Sequence, residues 1–149
     1  MIHTDVLIVG GGPAGATCAA RLRQAGVGCL ILDQAQFPRF KPCAGWVTPQ
    51  IFRDLGIRPQ EYTHGLVTYR HFRVALGRFQ FRLKTLQYAI RRVEFDQWLL
   101  QRCGAEVIRH SAKTITREGR RYVIDGQFST ETLVGAGGKT TALFWLARE

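Results

Sequence analysis

Asp5-Val6-Leu7-Ile8-Val9-Gly10-Gly11-Gly12-Pro13-Ala14-Gly15 sets a continuous aliphatic run directly against a glycine-rich turn. An uninterrupted apolar run bounded by glycine suits a short strand covered on both faces, as in a parallel sheet. A helix is expected at once. Ala14 to Ala25 carries Ala16, Ala19, Ala20 and Leu22 as a small apolar stripe, turns Arg21, Arg23 and Gln24 outward, and meets Gly26 as a stop. Gly28 to Leu32 resumes the apolar run and ends on Asp33. The spacing is that of a β-α-β unit of roughly thirty residues.

Within that unit, Gly10, Gly12 and Gly15 satisfy G-x-G-x-x-G. The first glycine makes the tight turn, the second lets a pyrophosphate approach the backbone, and the third lets the helix sit close to the sheet. The helix start behind the turn offers unpaired N–H groups and a positive dipole end to phosphates. Asp33 lies 23 positions beyond Gly10, at the end of the second strand, where a carboxylate can accept ribose hydroxyls. A 2′-phosphate there would meet a like charge with no arginine between them.

Outward from this unit the pattern changes. From Gln34 to Pro49, Pro38, Pro42, Gly45 and Pro49 interrupt regular hydrogen bonding, which predicts a long ordered loop. Thr48 is placed to cap a short helix through Leu55. Residues 65 to 88 alternate apolar with polar groups around Gly77, the pattern of an antiparallel hairpin. A helix over Glu94–Arg102, with Arg92 at its entry, turns Phe95, Trp98, Leu99 and Cys103 inward and ends at Gly104. Glu106–Ile108 is a third parallel strand, 112–117 and 120–125 a small meander, and Thr130–Val134 a fourth parallel strand entering Gly135-Ala136-Gly137-Gly138.

Composition narrows the alternatives. At 149 residues and 46% hydrophobic content, one domain with a real core is expected. Cys18, Cys29, Cys43 and Cys103 fit neither a dense disulfide framework nor paired C-x-x-C zinc knuckles, so reduced thiols are expected. His3, His64, His71 and His110 have no metal-ligand spacing and are expected on the surface or in loops. The start lacks the basic and long apolar regions of a secretory signal, so the expected location is the cytoplasm. The net charge of +10 comes almost wholly from 17 arginines. They are spaced singly, as at Arg70, Arg73, Arg78 and Arg82, without a block of five, so a solvated basic face is favoured over a nucleic-acid site, with peripheral membrane contact left open.

Several motifs, read in order, carry a family resemblance. Asp5 to Gly15, then Phe37-Pro38-Arg39-Phe40-Lys41-Pro42-Cys43-Ala44-Gly45, then Arg92-Val93-Glu94-Phe95-Asp96, then Val134 to Gly138 resemble the successive cofactor motifs of the geranylgeranyl reductase-like family of FAD-dependent oxidoreductases. That family is related to the para-hydroxybenzoate type of aromatic hydroxylase. The resemblance implies an α/β fold: a Rossmann-like FAD-binding domain with a parallel sheet, crossover helix, small antiparallel meander and a loop and hairpin inserted at about residues 34–90.

By the same resemblance, FAD would be bound by Gly10, Gly12, Pro13, Ala14, Gly15, Asp33, Gln34, Ala136 and Gly137. The Lys41, Cys43, Ala44 and Gly45 turn would face the flavin ring, Arg92 would reach the pyrophosphate or ribityl chain, and Val107 would meet the adenine through its backbone. Cys43 stands between a packing role and a redox or nucleophilic one. Asp96 is expected to be a helix partner or local hydrogen-bond acceptor.

The activity implied is reduction of carbon–carbon double bonds in an apolar, isoprenoid-like substrate, with NAD(P)H or a ferredoxin-like protein as electron donor. A flavin-dependent hydroxylase or halogenase is the second enzyme reading, and a basic binding module on a relic fold the third. Gly137-Gly138 stands where hydroxylase relatives carry Asp-Gly, which favours the reductase branch. Family members continue to more than twice this length, and Lys139 to Leu146 does not match their usual continuation. The chain is therefore expected to lack the substrate part, to turn over no substrate alone, and to expose apolar surface around Phe72, Phe79 and Phe81.

Because the arginines alternate with packing residues, duplex DNA should be held no tighter than micromolar at physiological salt. Fluorescence-anisotropy titration checks this, and sub-micromolar retention would promote the binding-module reading.

Overall fold

The computed structural model describes residues 1–138; the Lys139–Leu146 segment on which the chain's continuation was judged lies outside the described residues. The chain forms two compact units, Met1–Arg39 with Asp96 onward, and Phe40–Phe95. No helix among the described residues is long and apolar enough to cross a membrane.

The first unit is built on a six-stranded sheet. Its strands are β1 (Ile2–Val9), β2 (Cys29–Asp33), β6 (Glu106–Arg109), β7 (Ile115–Glu118), β8 (Arg121–Ile124) and β9 (Phe128–Gly135), in the order β6-β2-β1-β9-β8-β7. β6, β2, β1 and β9 run parallel, as the sequence pattern predicts, and β7–β8–β9 form the antiparallel meander. β1 lies inside the sheet between β2 and β9, and Val6, Leu7 and Ile8, which alternate between its faces, are all buried, so both faces are covered there. Leu7, Leu30, Leu32, Ile124 and Phe128 form one apolar cluster of this unit.

Helix α1 (Pro13–Gln24) follows the glycine turn and buries Gly15, Ala16 and Ala19. Its small side chains let it lie close to β1 and β2. Helix α3 (Arg92–Cys103) starts two residues before the expected Glu94, because the Arg91 carbonyl already accepts the N–H groups of Glu94 and Phe95. All four residues expected to face inward, Phe95, Trp98, Leu99 and Cys103, are buried. The four cysteines carry no disulfide, and burial pushes the Cys29 thiol up from its ordinary pKa.

The second unit is a three-stranded antiparallel sheet, β3 (Trp46–Val47), β5 (Phe79–Ile90) and β4 (Leu66–Leu76), in the order β3-β5-β4. β4 and β5 are the predicted hairpin, turning at Gly77. Phe52, from α2 (Pro49–Asp54), packs edge-on to Tyr88, and Tyr62 packs edge-on to Phe95. Thr48 occupies the N-cap position of α2, but its side chain makes no cap hydrogen bond; Pro49 at the first helical position supplies the preset φ instead.

Register separates the two faces of the hairpin. Arg73 opposes Arg82 and His71 opposes Lys84, whereas Phe72 opposes Leu83, Val74 opposes Phe81 and Leu76 opposes Phe79. Successive residues point to opposite faces, so the cations gather on one face and the apolar groups on the other. Phe79 and Phe81 are exposed as expected, but Phe72 is half-buried because the Trp46 ring covers it at 5.4 Å.

His110 lies in the loop directly after β6, within the surface-or-loop expectation, but it is engaged there. It is partly buried, edge-on to Phe128, with Nε2 2.6 Å from an Asp125 carboxylate oxygen. Asp125 also accepts the Lys113 and Thr114 N–H groups and the Thr114 hydroxyl, which clasps residues 110–114 onto the β8–β9 turn. Partial burial alone would raise this carboxyl, but the hydrogen bonds from His110, Thr114 and Lys113 outweigh it and hold the pKa at about 2. The stabilisation is therefore complete above the ordinary carboxylate pKa near 4 and is lost as pH falls towards about 2. Asp125→Ala should lower stability by about 1–3 kcal/mol at neutral pH by leaving these donors unpaired. Denaturant melts of both proteins should converge over that acid interval.

Candidate cofactor-binding site

The C-terminal ends of β1, β2 and β9 assemble the site in the first unit. Gly10 donates its N–H to Leu32 O at 2.7 Å, and Ala136 donates its own to Val9 O at 2.7 Å, tying the glycine turn to both neighbouring strands. Gly10 has φ +117°, and a Cβ there would stand 2.5 Å from the Ala136 carbonyl carbon. Gly15 is tighter still: its Cβ would stand 1.9 Å from the Gly10 carbonyl oxygen and 3.3 Å from Ile8 Cγ2. Any side chain at Gly15 would lift α1 off β1.

Gly12 is the N-cap of α1 and Pro13 its first residue; the Gly12 carbonyl accepts the Ala16 N–H at 2.9 Å. The N–H groups of Ala14 and Gly15 precede the first intrahelical donor, so they have no acceptor within the helix. Asp33 is anchored beside it. One carboxylate oxygen accepts the Gly11 N–H at 2.7 Å and the other the Ala35 N–H at 2.8 Å. A carboxylate has about four acceptor positions, so Asp33 keeps capacity for further donors.

Gly10, Gly12, Pro13, Ala14, Gly15, Asp33, Ala136 and Gly137 are thus brought to one end of one sheet. Gln34 follows β2 and is exposed, and Val107 lies on the edge strand β6, in register with Ile31. Lys41, Cys43, Ala44, Gly45 and Arg92 belong to the second unit. There Gly45 is buried with φ +72°, and a Cβ on it would stand 1.9 Å from the Ile90 carbonyl oxygen. Gly45 donates its N–H to Cys43 Sγ at 3.4 Å and accepts the Ile90 N–H at 2.9 Å, so the turn is held against β5 while Lys41, Cys43 and Ala44 stay exposed.

Two residues take positions that sequence reasoning missed. Asp96 is fully buried and one of its partners is Arg39, at 3.4 Å, a residue distant in sequence. Arg39 in turn lies over the Phe37 ring at 4.9 Å, and its Nη2 would stand 3.4 Å from a Cβ on Gly12. The available signal was a lone arginine in the proline-rich loop that begins at Gln34, directly after Asp33.

The parallel sheet, the side-chain-free turn at a helix start and the strand-end carboxylate define a dinucleotide-binding domain of the Rossmann-like class. The chain matches the family model described as FAD binding domain over residues 3–132, and it belongs to that family. It is 30% identical to geranylgeranyl diphosphate reductase of Rhodobacter capsulatus over 148 residues, covering 90% of this chain and 37% of that protein. It is 32% identical over 122 residues to digeranylgeranylglycerophospholipid reductase 1 of Methanopyrus kandleri, covering 78% of this chain and 32% of that protein. Among solved structures, a flavin-dependent brominase superposes with TM-score 0.75 at 27% identity, covering 98% of this chain and 40% of that one. The chain therefore spans less than two fifths of the length of these curated relatives. FAD is the cofactor, and the glycine turn with Asp33 fits its diphosphate and ribose.

Gly15→Val should abolish FAD binding, since helix and strand can no longer meet. Asp33→Ala should weaken it by about 1–3 kcal/mol, the usual loss for a charged hydrogen-bond partner. Titration followed by flavin fluorescence measures both, with FMN, which lacks the adenosine, as the control.

Proposed function

We propose that this chain is the FAD-binding part of a flavin-dependent reductase that acts on carbon–carbon double bonds of an apolar, isoprenoid-like substrate. The observation that carries this reading is the identity of 30% or more with two reductases of geranylgeranyl compounds, one of them over 90% of the chain. FAD, when bound and reduced, supplies the hydride. The protein's own residues bind and orient.

The N–H groups at the start of α1 hold the diphosphate, beside Gly10, Gly12, Pro13, Ala14 and Gly15. Asp33 and Gln34 take the ribose of the adenosine half, Val107 the adenine through its backbone, and Ala136 and Gly137 close the turn beside Gly10. In the second unit the Lys41–Gly45 turn faces the flavin ring, with the Cys43 thiol engaged by the Gly45 N–H in a packing role. Arg92 supplies a cation for the diphosphate or ribityl chain. Residues 1–149 form the FAD-binding portion, 34–90 being an insertion in it, and the substrate is held by a part outside this chain. The protein works in the cytoplasm with NAD(P)H or a ferredoxin-like donor.

A second reading, flavin-dependent halogenation, is favoured by the brominase superposition at 27% identity. The two separate in one experiment. The purified chain is loaded with FAD, reduced anaerobically with dithionite and mixed with geranylgeranyl diphosphate. The reductase reading expects a yellow protein that alone gives no multiple-turnover reduction, and whose reduced flavin, once the chain is joined to a substrate-holding part, is reoxidised without oxygen with one double bond hydrogenated per FAD, detected by mass spectrometry. In a parallel sample given air, bromide and an aromatic acceptor, flavin oxidation by oxygen with bromine from the added bromide bound to the acceptor would favour halogenation. A chain that takes up no flavin would overturn both.

A further inference from the structure

Asp96 is a carboxylate with no exposed surface, on a helix whose neighbouring residues Phe95, Trp98, Leu99 and Leu100 are buried and apolar. Burying such a group is costly unless it is paired, and the Arg39 guanidinium pairs with it at 3.4 Å. Arg39 is itself largely covered, with 19% of its side chain exposed. Its location is specific. The guanidinium lies 4.9 Å from the centre of the Phe37 ring, and that ring packs on the glycine turn, 3.2 Å from where a Cβ of Gly11 would be. Nη2 stands 3.4 Å from the corresponding point on Gly12, the N-cap of α1. A cation therefore flanks the opening at which the first N–H groups of α1 meet an anion.

We propose that Arg39 is a side-chain ligand of the FAD diphosphate and that Asp96 is its positioning residue. This rests on the cofactor assignment and adds to it a cation from the first unit, alongside Arg92. A guanidinium carries five N–H donors in a rigid fork. Asp96 engages Nη2, the same nitrogen that stands nearest Gly12, and Phe37 supports the flat face; Nη2 carries two N–H groups, so one remains for a phosphate oxygen beside those of Nη1 and Nε. The arrangement also explains the buried charge. Arg39 would otherwise have to be ordered when the ligand arrives, and a fixed carboxylate orders it beforehand, which reduces the entropic cost of binding. The positive field of the α1 N-terminus is left in place for the second phosphate charge.

The test compares wild type, Arg39→Met, Arg39→Lys and Asp96→Asn by FAD fluorescence titration over a range of salt concentrations. ADP and adenosine, which differ only in the diphosphate, serve as competitors, and thermal melts without FAD report folding. Arg39→Met should raise the Kd for FAD and ADP by roughly 10- to 100-fold, the range of a charged hydrogen bond, leave adenosine within about twofold, and flatten the salt dependence. Arg39→Lys keeps the charge without the fork and should recover part of the loss. Asp96→Asn should weaken FAD in the same direction by a smaller factor.

Unchanged FAD and ADP affinity in Arg39→Met, with a lowered melting temperature, would show a mere structural pin and overturn the proposal. Equal losses for ADP and adenosine would overturn it too. If Arg39→Met does not fold, the ADP-to-adenosine ratio of Arg39→Lys decides: a fall supports the proposal and no change overturns it. Wild-type protein that binds neither FAD nor ADP overturns the cofactor assignment itself.

Discussion

The close approach of Gly15 to the Gly10 carbonyl oxygen is the contact on which the first unit depends. Only a residue without a Cβ allows it, because that atom would stand 1.9 Å from the oxygen. The approach brings the start of α1 up to the end of β1, and the same turn, through Gly10, is pressed against the Ala136 backbone after β9. Strand, helix and the return strand from the far end of the chain therefore meet at one point. Lack of side chains there is what lets helix and strands pack so closely.

Around this point the electrostatics are layered. The α1 N-terminus offers backbone donors with no charge of their own to desolvate. Asp33 places a negative charge within the same turn, yet it is held by the Gly11 and Ala35 N–H groups and so costs little to keep there. Arg39 and Asp96 add a paired charge whose buried member is compensated. Backbone donors at the α1 start and a carboxylate held by two N–H groups thus sit a few residues apart without neutralising one another.

The second unit uses the same device for another purpose. Gly45 lies against Ile90 with a positive φ, which fixes the Lys41–Gly45 turn to β5. The hairpin beyond it is two-sided, basic on one face and apolar on the other, because residue pairs in register share a face. The strongly positive net charge is thereby concentrated in part on one surface of a ribbon; no Asp or Glu lies between Glu61 and Glu94 to offset it.

Much of this was legible in the sequence because its causes are local. Val6–Val9 with Gly10, Gly12 and Gly15 specifies strand, turn and helix through the steric demands of neighbouring residues. The alternation around Gly77 specifies a hairpin by period alone, and the β-α-β unit with the later parallel strands follows from apolar runs punctuated by glycine. Tertiary structure alone decided what depends on residues far apart in the chain. That Asp96 pairs with Arg39, that Asp125 gathers His110, Lys113 and Thr114, and that Trp46 shelters Phe72 follow from which buried surfaces happen to meet. An arginine in a proline-rich loop and an aspartate on a helix show no mutual signal in sequence. Their pairing is set by the cost of leaving a buried charge alone, which is incurred only once the fold has closed over it.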